Sequence, residues 1–393
     1  MENLSASGCA AAESAGLPWR PYCLNSLKAV AGNRARLLRD GAEAFPAMLE
    51  SINGAKESVL LCVYAVADDG AGRRFASALA AAARRGVKVY LVYDAIGSVA
   101  TPWTFFGEME DAGARVAQYH PVLPWKPHWT WFRRNHSKLL VIDGQTAFIG
   151  GFNITSEYAP RDWGGEGWRD TGVELRGPAV REAAELFWDS WRRCGKDIPP
   201  GAAKPAAGKC GAVWASLASS VGIVRRNFIR RGYKNAILKS TRYIYITNAY
   251  FLPGGFIHRK LIKAAKRGVR VAIITAGVTN QPLVRWAAWS LLGRLLRDGV
   301  EIYEWTPCVL HAKTAVIDGQ WSCAGSYNLD HLSLHYNIEV NANIYGPEFG
   351  GQMRRMFEED LKRCRRLTLE EWKKSPLIFR LLSRAIYWFR NFM

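Results

Sequence analysis

The sequence has no C-x-x-C pair and no cysteine spacing suited to zinc, although it carries eight cysteines: Cys9, Cys23, Cys62, Cys194, Cys210, Cys308, Cys323 and Cys364. Such scatter argues against a zinc module and reads as free, mostly buried thiols in a reducing compartment. There is no run of 18 or more apolar residues, so no helix is expected to cross a bilayer. The N-terminus lacks a basic stretch followed by an apolar one, so no export signal is expected. Nothing in the composition suggests collagen or global disorder. Acidic residues are in short supply: 34 Asp and Glu face 53 Lys and Arg, a formal net charge of +19. A chain that basic attracts polyanions, either nucleic acid or an anionic membrane. Sixteen Trp tilt the choice toward lipid, because Trp favours the membrane–water interface.

What is present is a duplication. The chain of 393 residues, 49% hydrophobic, has room for two domains with substantial cores. Ser58–Tyr64 is a short apolar run suited to a buried strand. Gly72 to Arg85 reads as an Ala-rich helix stopped by Gly86, and Val87–Tyr93 as the next strand. This strand–helix–strand order implies parallel pairing. Tyr243–Tyr250, Leu261 to Arg267, Gly268 and Val269–Ile274 repeat it. Ala-Arg-Arg-Gly-Val-Lys-Val, ending at Val89, aligns with Ala-Lys-Arg-Gly-Val-Arg-Val, ending at Val271. The predicted division is a loose leader over 1–33, a first domain over 34–196, a Pro/Gly/Ala linker over 197–212, a second domain over 213–365 and a basic amphipathic tail over 366–393.

Each copy ends in one constellation. His136-Ser-Lys138-Leu-Leu-Val-Ile-Asp143 is followed by Gly150-Gly151-Phe-Asn153. His311-Ala-Lys313-Thr-Ala-Val-Ile-Asp318 is followed by Gly325-Ser326-Tyr-Asn328, at identical spacing. His and Lys two apart on a strand project from one face. The apolar residues after them continue the strand into the core, and the Asp ends it at a turn with Gly144 or Gly319. Two such copies facing each other supply what phosphodiester chemistry needs. One imidazole can attack phosphorus. The other can protonate the leaving alcohol and deprotonate the incoming one. Two lysines and two asparagines can hold the non-bridging oxygens without a metal or other cofactor. Asp143 and Asp318 complete the two motifs, and bracing the scaffold suits them better than chemistry.

These paired motifs resemble those of the phospholipase D superfamily. Within it, the chain is most similar to bacterial cardiolipin synthases lacking N-terminal transmembrane helices. Supporting strings include Leu37-Leu-Arg-Asp-Gly41, Arg134-Asn-His-Ser-Lys138, Phe148-Ile-Gly-Gly-Phe-Asn-Ile154, Trp168-Arg-Asp-Thr171, Asn248-Ala-Tyr-Phe251 and Gly325-Ser-Tyr-Asn-Leu-Asp330. The resemblance implies an α/β fold of two duplicated phospholipase D-like domains, each a mixed β-sheet flanked by helices, with the active site in the cleft between them. It implies a phosphohistidine route in which two phosphatidylglycerols give cardiolipin and glycerol. Carboxylates that orient the histidines are implied at Asp170 and Glu339, with Gly151 and Ser326 in support. One departure is Gly254-Gly255, where relatives often carry Asp.

Two segments point to a membrane. Pro121 to Arg134 holds three Trp and one Phe among prolines and basic residues, and suits a lip dipping into headgroups. In the tail, Ser375 can cap a helix whose apolar face holds Leu377, Leu381, Ala385, Trp388 and Phe392, widened by Ile378, Leu382, Ile386, Phe389 and Met393. Arg380, Ser383, Arg384 and Tyr387 lie opposite. Peripheral attachment to the cytoplasmic side of the inner membrane follows as the expectation, with phosphatidylglycerol and cardiolipin as lipid partners and no nucleic acid. A phospholipase using water, a nuclease of the same superfamily and a non-catalytic membrane binder are the rival readings.

Overall fold

Apolar runs bounded by turn residues become strands buried on both faces when helices cover the sheet from either side. The computed structural model describes residues 16–24, 27, 29–121, 125, 133–200, 202, 208–220 and 227–389. The first half runs β1 (Val30–Arg39), α1 (Asp40–Gly54), β2 (Ser58–Val63), α2 (Gly70–Arg84), β3 (Lys88–Asp94), α3 (Trp103–Asp111), β4 (Arg115–Tyr119), β5 (Leu139–Ile142), β6 (Thr146–Gly150), β7 (Thr171–Arg176) and α4 (Val180–Arg193). The second half runs β8 (Val213–Ser219), α5 (Phe228–Lys239), β9 (Tyr243–Asn248), α6 (Gly255–Lys266), β10 (Arg270–Ala276), α7 (Pro282–Arg297), β11 (Glu301–Trp305), β12 (Lys313–Ile317), β13 (Trp321–Gly325), α8 (His331–His335), β14 (Val340–Tyr345) and α9 (Pro347–Leu361). It closes with β15 (Cys364–Leu367), α10 (Leu369–Lys374) and α11 (Leu377–Trp388).

The duplication is visible in the pairing. β2 and β3 are parallel across α2, as β9 and β10 are across α6. β5, β6 and β7 then add antiparallel beside β2, and β12, β13 and β14 do the same beside β9. The repeat predicts a mixed sheet in each half; the structure joins the two. β1 pairs with β7 and β8, and β8 pairs with β14, giving one sheet of 15 strands in the order β15-β11-β10-β9-β12-β13-β14-β8-β1-β7-β6-β5-β2-β3-β4. The physical reason is that β1 and β8 would each leave an unpaired edge, and each covers the other. Asn33 secures the seam, donating from Nδ2 to the carbonyls of Val30 and Val213 and accepting from the Ala179 amide.

Strand alternation divides the apolar residues between three cores. Leu139 and Val141 of β5 face a core shared by the halves, where they join Val316, Val340 and Ile344, with Phe187 and Trp188 of α4 and Met353 and Phe357 of α9. Leu140 and Ile142 face an outer core under α1 and α2. Ala315 and Ile317 of β12 face the matching outer core under α5 and α6. The shared core fixes one half against the other, which is what a site built from both requires.

The leader needs correction. Residues 1–15 lie outside the described part, but Trp19, Tyr22, Cys23 and Leu27 are buried in the outer core of the second half. Trp19 packs on Trp214 and Tyr345, and the Tyr22 hydroxyl donates to Asp318 at 2.7 Å. Isolated aromatics in a stretch without period hide this docking from a reading based on periodicity.

The end of the chain is built the other way round from an ordinary surface helix. α11 lies on α7, with Phe379 against Trp286 and Trp289, and with Ser383, Ile386 and Tyr387 turned toward the protein. Its apolar side faces outward: Leu377 is 65%, Ile378 77% and Trp388 82% exposed, with Leu381, Leu382 and Phe389 beside them. Ser375 does not cap α11. It closes α10, where its hydroxyl meets the Trp372 carbonyl and the Trp289 indole. Among the described residues no helix is long and apolar enough to cross a membrane. Most of the Trp-rich segment 121–134 lies outside the described residues; Trp125, within them, is exposed.

Candidate active site

Each H-x-K string enters its strand from an extended lead-in that is stitched to the opposite half. The His136 amide donates to the Ile338 carbonyl at 2.9 Å, and the Ile338 amide donates to Arg134 at 2.8 Å. Symmetrically, the His311 amide donates to the Arg169 carbonyl at 2.8 Å, and the Arg169 amide donates to Val309 at 2.9 Å. These bridges place the residue after each anchor, Glu339 or Asp170, beside the histidine of the other half.

The carboxylates therefore pair crosswise. His136 Nδ1 lies 3.0 and 3.1 Å from the two oxygens of Glu339, and His311 Nδ1 lies 2.7 Å from Asp170 Oδ2. A carboxylate can only accept, so each Nδ1 carries the proton and the reactive lone pair falls to Nε2. Both carboxylates are fully buried and both imidazoles nearly so. Glu339 also accepts from the hydroxyls of Ser326 at 2.5 Å and Ser333 at 2.7 Å. Asp170 accepts from the Thr171 amide at 2.7 Å instead. Gly151 stands where Ser326 stands in the other copy, and a Cβ there would come within 2.3 Å of Asp170 Oδ1. Glycine is thus required by the close approach of the carboxylate.

The lysines are buried beside the imidazoles. Lys138 Nζ donates to the His136 carbonyl at 2.9 Å and sits 5.1 Å from the centre of the Tyr64 ring. Lys313 Nζ reaches the His311 carbonyl, lies 2.9 Å from His311 Nδ1 and sits 5.7 Å from the Tyr250 ring. Since that Nδ1 already donates to Asp170, its contact with the ammonium is electrostatic and unfavourable. Burial pushes Lys138 down to about 7 and Lys313 down to about 8, opposed by the two carboxylates. Burial raises Asp170 to about 7, opposed chiefly by Lys313. It lowers both imidazoles: His136 against the pull of Glu339, and His311 further, with Lys313 and Lys138 adding to the effect. Lys138 and His136 each influence His311 across the domain boundary, so the groups form one electrostatic unit. An arriving anion would restore the cationic forms that burial suppresses.

Of the remaining sequence candidates, Asn153 donates to the Tyr158 hydroxyl at 3.0 Å and accepts from the Ala65 amide at 3.3 Å. Asn328 is buried, and its Oδ1 has no hydrogen-bond partner among the described residues. Asp143 and Asp318 are not brought to the site. They end β5 and β12 at the far side from the histidines, in left-handed conformations with φ of 52° and 54°. Asp143 accepts the amides of Lys56, Glu57 and Ser58; Asp318 accepts those of Thr241, Arg242 and Tyr243. Grouping them with the Lys and His of each motif as catalytic candidates is corrected accordingly: each is a clamp on three backbone donors that start the neighbouring strand, β2 or β9.

Sequence reasoning missed the aromatic walls. Tyr64 packs edge-on against His136 at 5.0 Å, and Tyr158 and Tyr250 against His311 at 5.1 and 5.9 Å. Tyr64 and Tyr250 each follow within two residues of the first strand of a repeat, a signal that was available. It also missed Arg169, buried against Asp40 and Asp360, which holds the backbone carbonyl of Asp170.

The family described as "Cardiolipin synthase, PLD-like domain" matches residues 48–191 and 233–361, nearly the whole of both halves. Cardiolipin synthase B of Shigella flexneri is 34% identical over 338 residues, spanning 82% of this chain and 79% of that protein. Cardiolipin synthase A of Pseudomonas putida is 30% identical over 391 residues, 94% of this chain and 81% of that one. In fold, the chain is similar to the phosphatidylserine synthase of Haemophilus influenzae, with a TM-score of 0.71, 14% identity and coverage of 91% and 95%. With two copies of the H-x-K motif joined crosswise through buried carboxylates, and relatives at this level along most of its length, the chain belongs to the cardiolipin synthase family with phospholipase D-like domains.

Proposed function

We propose that this protein transfers a phosphatidyl group between two phosphatidylglycerol molecules, forming cardiolipin and releasing glycerol. The crossed His–carboxylate pairs carry the reading, because they draw both imidazoles into one buried unit. His136 Nε2 attacks the phosphorus of the first lipid. The P–O bond to glycerol breaks as the P–N bond forms, and His311 gives a proton to the departing oxygen. A hydroxyl of the second lipid then gives its proton back to His311 and attacks phosphorus, and the P–N bond breaks. Burial disfavours an imidazolium at His311, but the phosphate charge and Asp170 together offset that cost. Lys138, Lys313, Asn153 and Asn328 are the candidates for holding the non-bridging oxygens.

The substrate is a lipid, and the outward apolar side of α11 supports peripheral attachment to a membrane. An ordinary surface helix turns that side inward. The cytoplasmic face of the inner membrane is the proposed location. Incubation with phosphatidylglycerol vesicles, followed by lipid chromatography and a glycerol assay, tests the reaction. Cardiolipin and glycerol in equal amounts are expected. Phosphatidic acid as the sole product would make water the acceptor and overturn the transferase reading.

A further inference from the structure

Between α7, α10 and α11 lies a recess lined by Trp289, Ser290, Trp372, Leu377, Leu381 and the guanidinium-bearing Arg380 and Arg384. Its walls are fixed. The Trp372 indole donates to the Trp289 carbonyl at 2.9 Å, and Gly293 gives Trp372 room, since a Cβ there would meet the indole at 2.4 Å. Arg380 lies 5.7 Å from the Trp372 ring, and its Nε is buried with no hydrogen-bond partner among the described residues. Arg384 is one turn further along the same side of α11. Neither arginine forms an ion pair with a described carboxylate. Two like charges one turn apart repel, and a buried N–H left without an acceptor is unfavourable. An anion seated between the two side chains removes both penalties.

Leu377 and Leu381 line this recess and belong to the outward apolar side of α11. Two arginines lining a recess beside exposed leucines suit a phosphate at headgroup depth, with acyl chains over the leucines. We propose that the recess is a headgroup site for an anionic phospholipid of the bilayer, distinct from the reacting lipids. The proposal rests on the membrane reading above and names the group that reading would engage. It also couples the membrane to the chemistry. Three residues past Arg384, about 4.5 Å along the helix, Tyr387 joins Ile386 in packing on the apolar cluster of Leu252, Val284, Ala287 and Ala288. Tyr250 packs on that same cluster, and its ring meets His311. A lipid seated on Arg380 and Arg384 would hold α11 down on the wall of the active site.

The test compares sedimentation of the full chain with phosphatidylcholine vesicles and with phosphatidylcholine vesicles containing phosphatidylglycerol. R380Q/R384Q should lose roughly 30-fold in affinity for the anionic vesicles, taking about 1 kcal/mol for each arginine. K373Q/K374Q removes the same charge from neighbouring α10 and should lose less than about threefold if the recess, rather than diffuse attraction, does the binding. R380K/R384K keeps charge without the planar fork and should fall between the two. Short-chain phosphatidylglycerol should compete with the vesicles, and inorganic phosphate should not. Equal losses in the Arg and Lys pairs, no loss in either, or competition by inorganic phosphate would each overturn the headgroup site. A wild-type chain that sediments with neither vesicle would instead bring down the membrane reading itself.

Discussion

His136 and His311 occupy equivalent places in the repeat, yet their carboxylates are held by different means. Glu339 is long enough to take two serine hydroxyls as well as its histidine. Asp170 is shorter, takes one backbone amide, and fits only because Gly151 has no side chain. Asp170 is in turn backed by Arg169, whose guanidinium spans Asp40 of the first half and Asp360 of α9. The reacting groups keep their spacing in both copies while the shell behind them has diverged. Two half-sites with one repeated motif thus have unequal surroundings, in keeping with the unequal tasks proposed for them, one attacking and one moving protons.

That comparison can be broken most severely at the histidines. His136→Ala and His311→Ala should each lower turnover by about 10⁴-fold or more, and the double variant should be no worse than either, because the pair acts as a unit. Substantial activity in one single variant would separate the half-sites. A phosphatidyl ester of a good phenolic leaving group sharpens the contrast. Loss of the proton donor should then be largely rescued in the first step, and loss of the nucleophile should not, which assigns the roles by rapid-quench release of the phenol.

The crossed carboxylates come next. Glu339→Gln should cripple His136 and Asp170→Asn should cripple His311, each by about 10²–10⁴-fold in kcat, with the folded state retained by circular dichroism. In the phenol-ester assay, whichever variant serves the proton donor should be the one rescued. Rescue of the variant paired with the nucleophile would contradict the crossing. Smaller effects should come from the shell. Gly151→Ser should lower stability by about 1–3 kcal/mol in denaturant titration, because the added Cβ collides with Asp170. Ser326→Gly removes one donor from Glu339 and should cost less than Gly151→Ser.

The mildest effect should come from pH. Lys138 at about 7 and Lys313 at about 8 are charged below those values and neutral above them. Competitive inhibition by sulfate, whose own charge does not change in this range, should therefore weaken as pH rises through this window, by about tenfold in all. Below about 7, Asp170 takes up a proton and loses its hold on the His311 N–H, so turnover should fall on the acid side. An inhibition constant independent of pH would remove the lysines from the anion site.

Much of this was legible in the sequence. The βαβ repeat and the apolar strings after each H-x-K gave away the strands, since side chains alternating between two buried faces must all be apolar. Asp170 and Glu339 were reached through the family resemblance, as carboxylates serving the histidines, and not through local spacing. Their crossing was not legible, because it depends on bridges between Asn135 and Ile338 and between Arg169 and Leu310, contacts far apart in sequence that local spacing cannot encode. Asp143 and Asp318 share a motif with the lysines, and their bracing role was anticipated at a strand-ending turn; what they brace, the backbone amides that start β2 and β9, is shown only by the tertiary structure. The fusion of the two sheets and the docking of Trp19 are likewise tertiary outcomes. The apolar stripe of α11 was plain to see, but the side it turns outward is decided by the packing of Phe379 on α7.

The central claim is that the two half-sites act on one phosphorus. A crystal structure of the protein soaked with vanadate, a mimic of phosphorus in the transition state, tests it most directly. The expected result is a single vanadate bonded to Nε2 of one histidine, within hydrogen-bond distance of Nε2 of the other, and contacted by Lys138 and Lys313. Two vanadates, one on each histidine and neither reached by the opposite half, would contradict it.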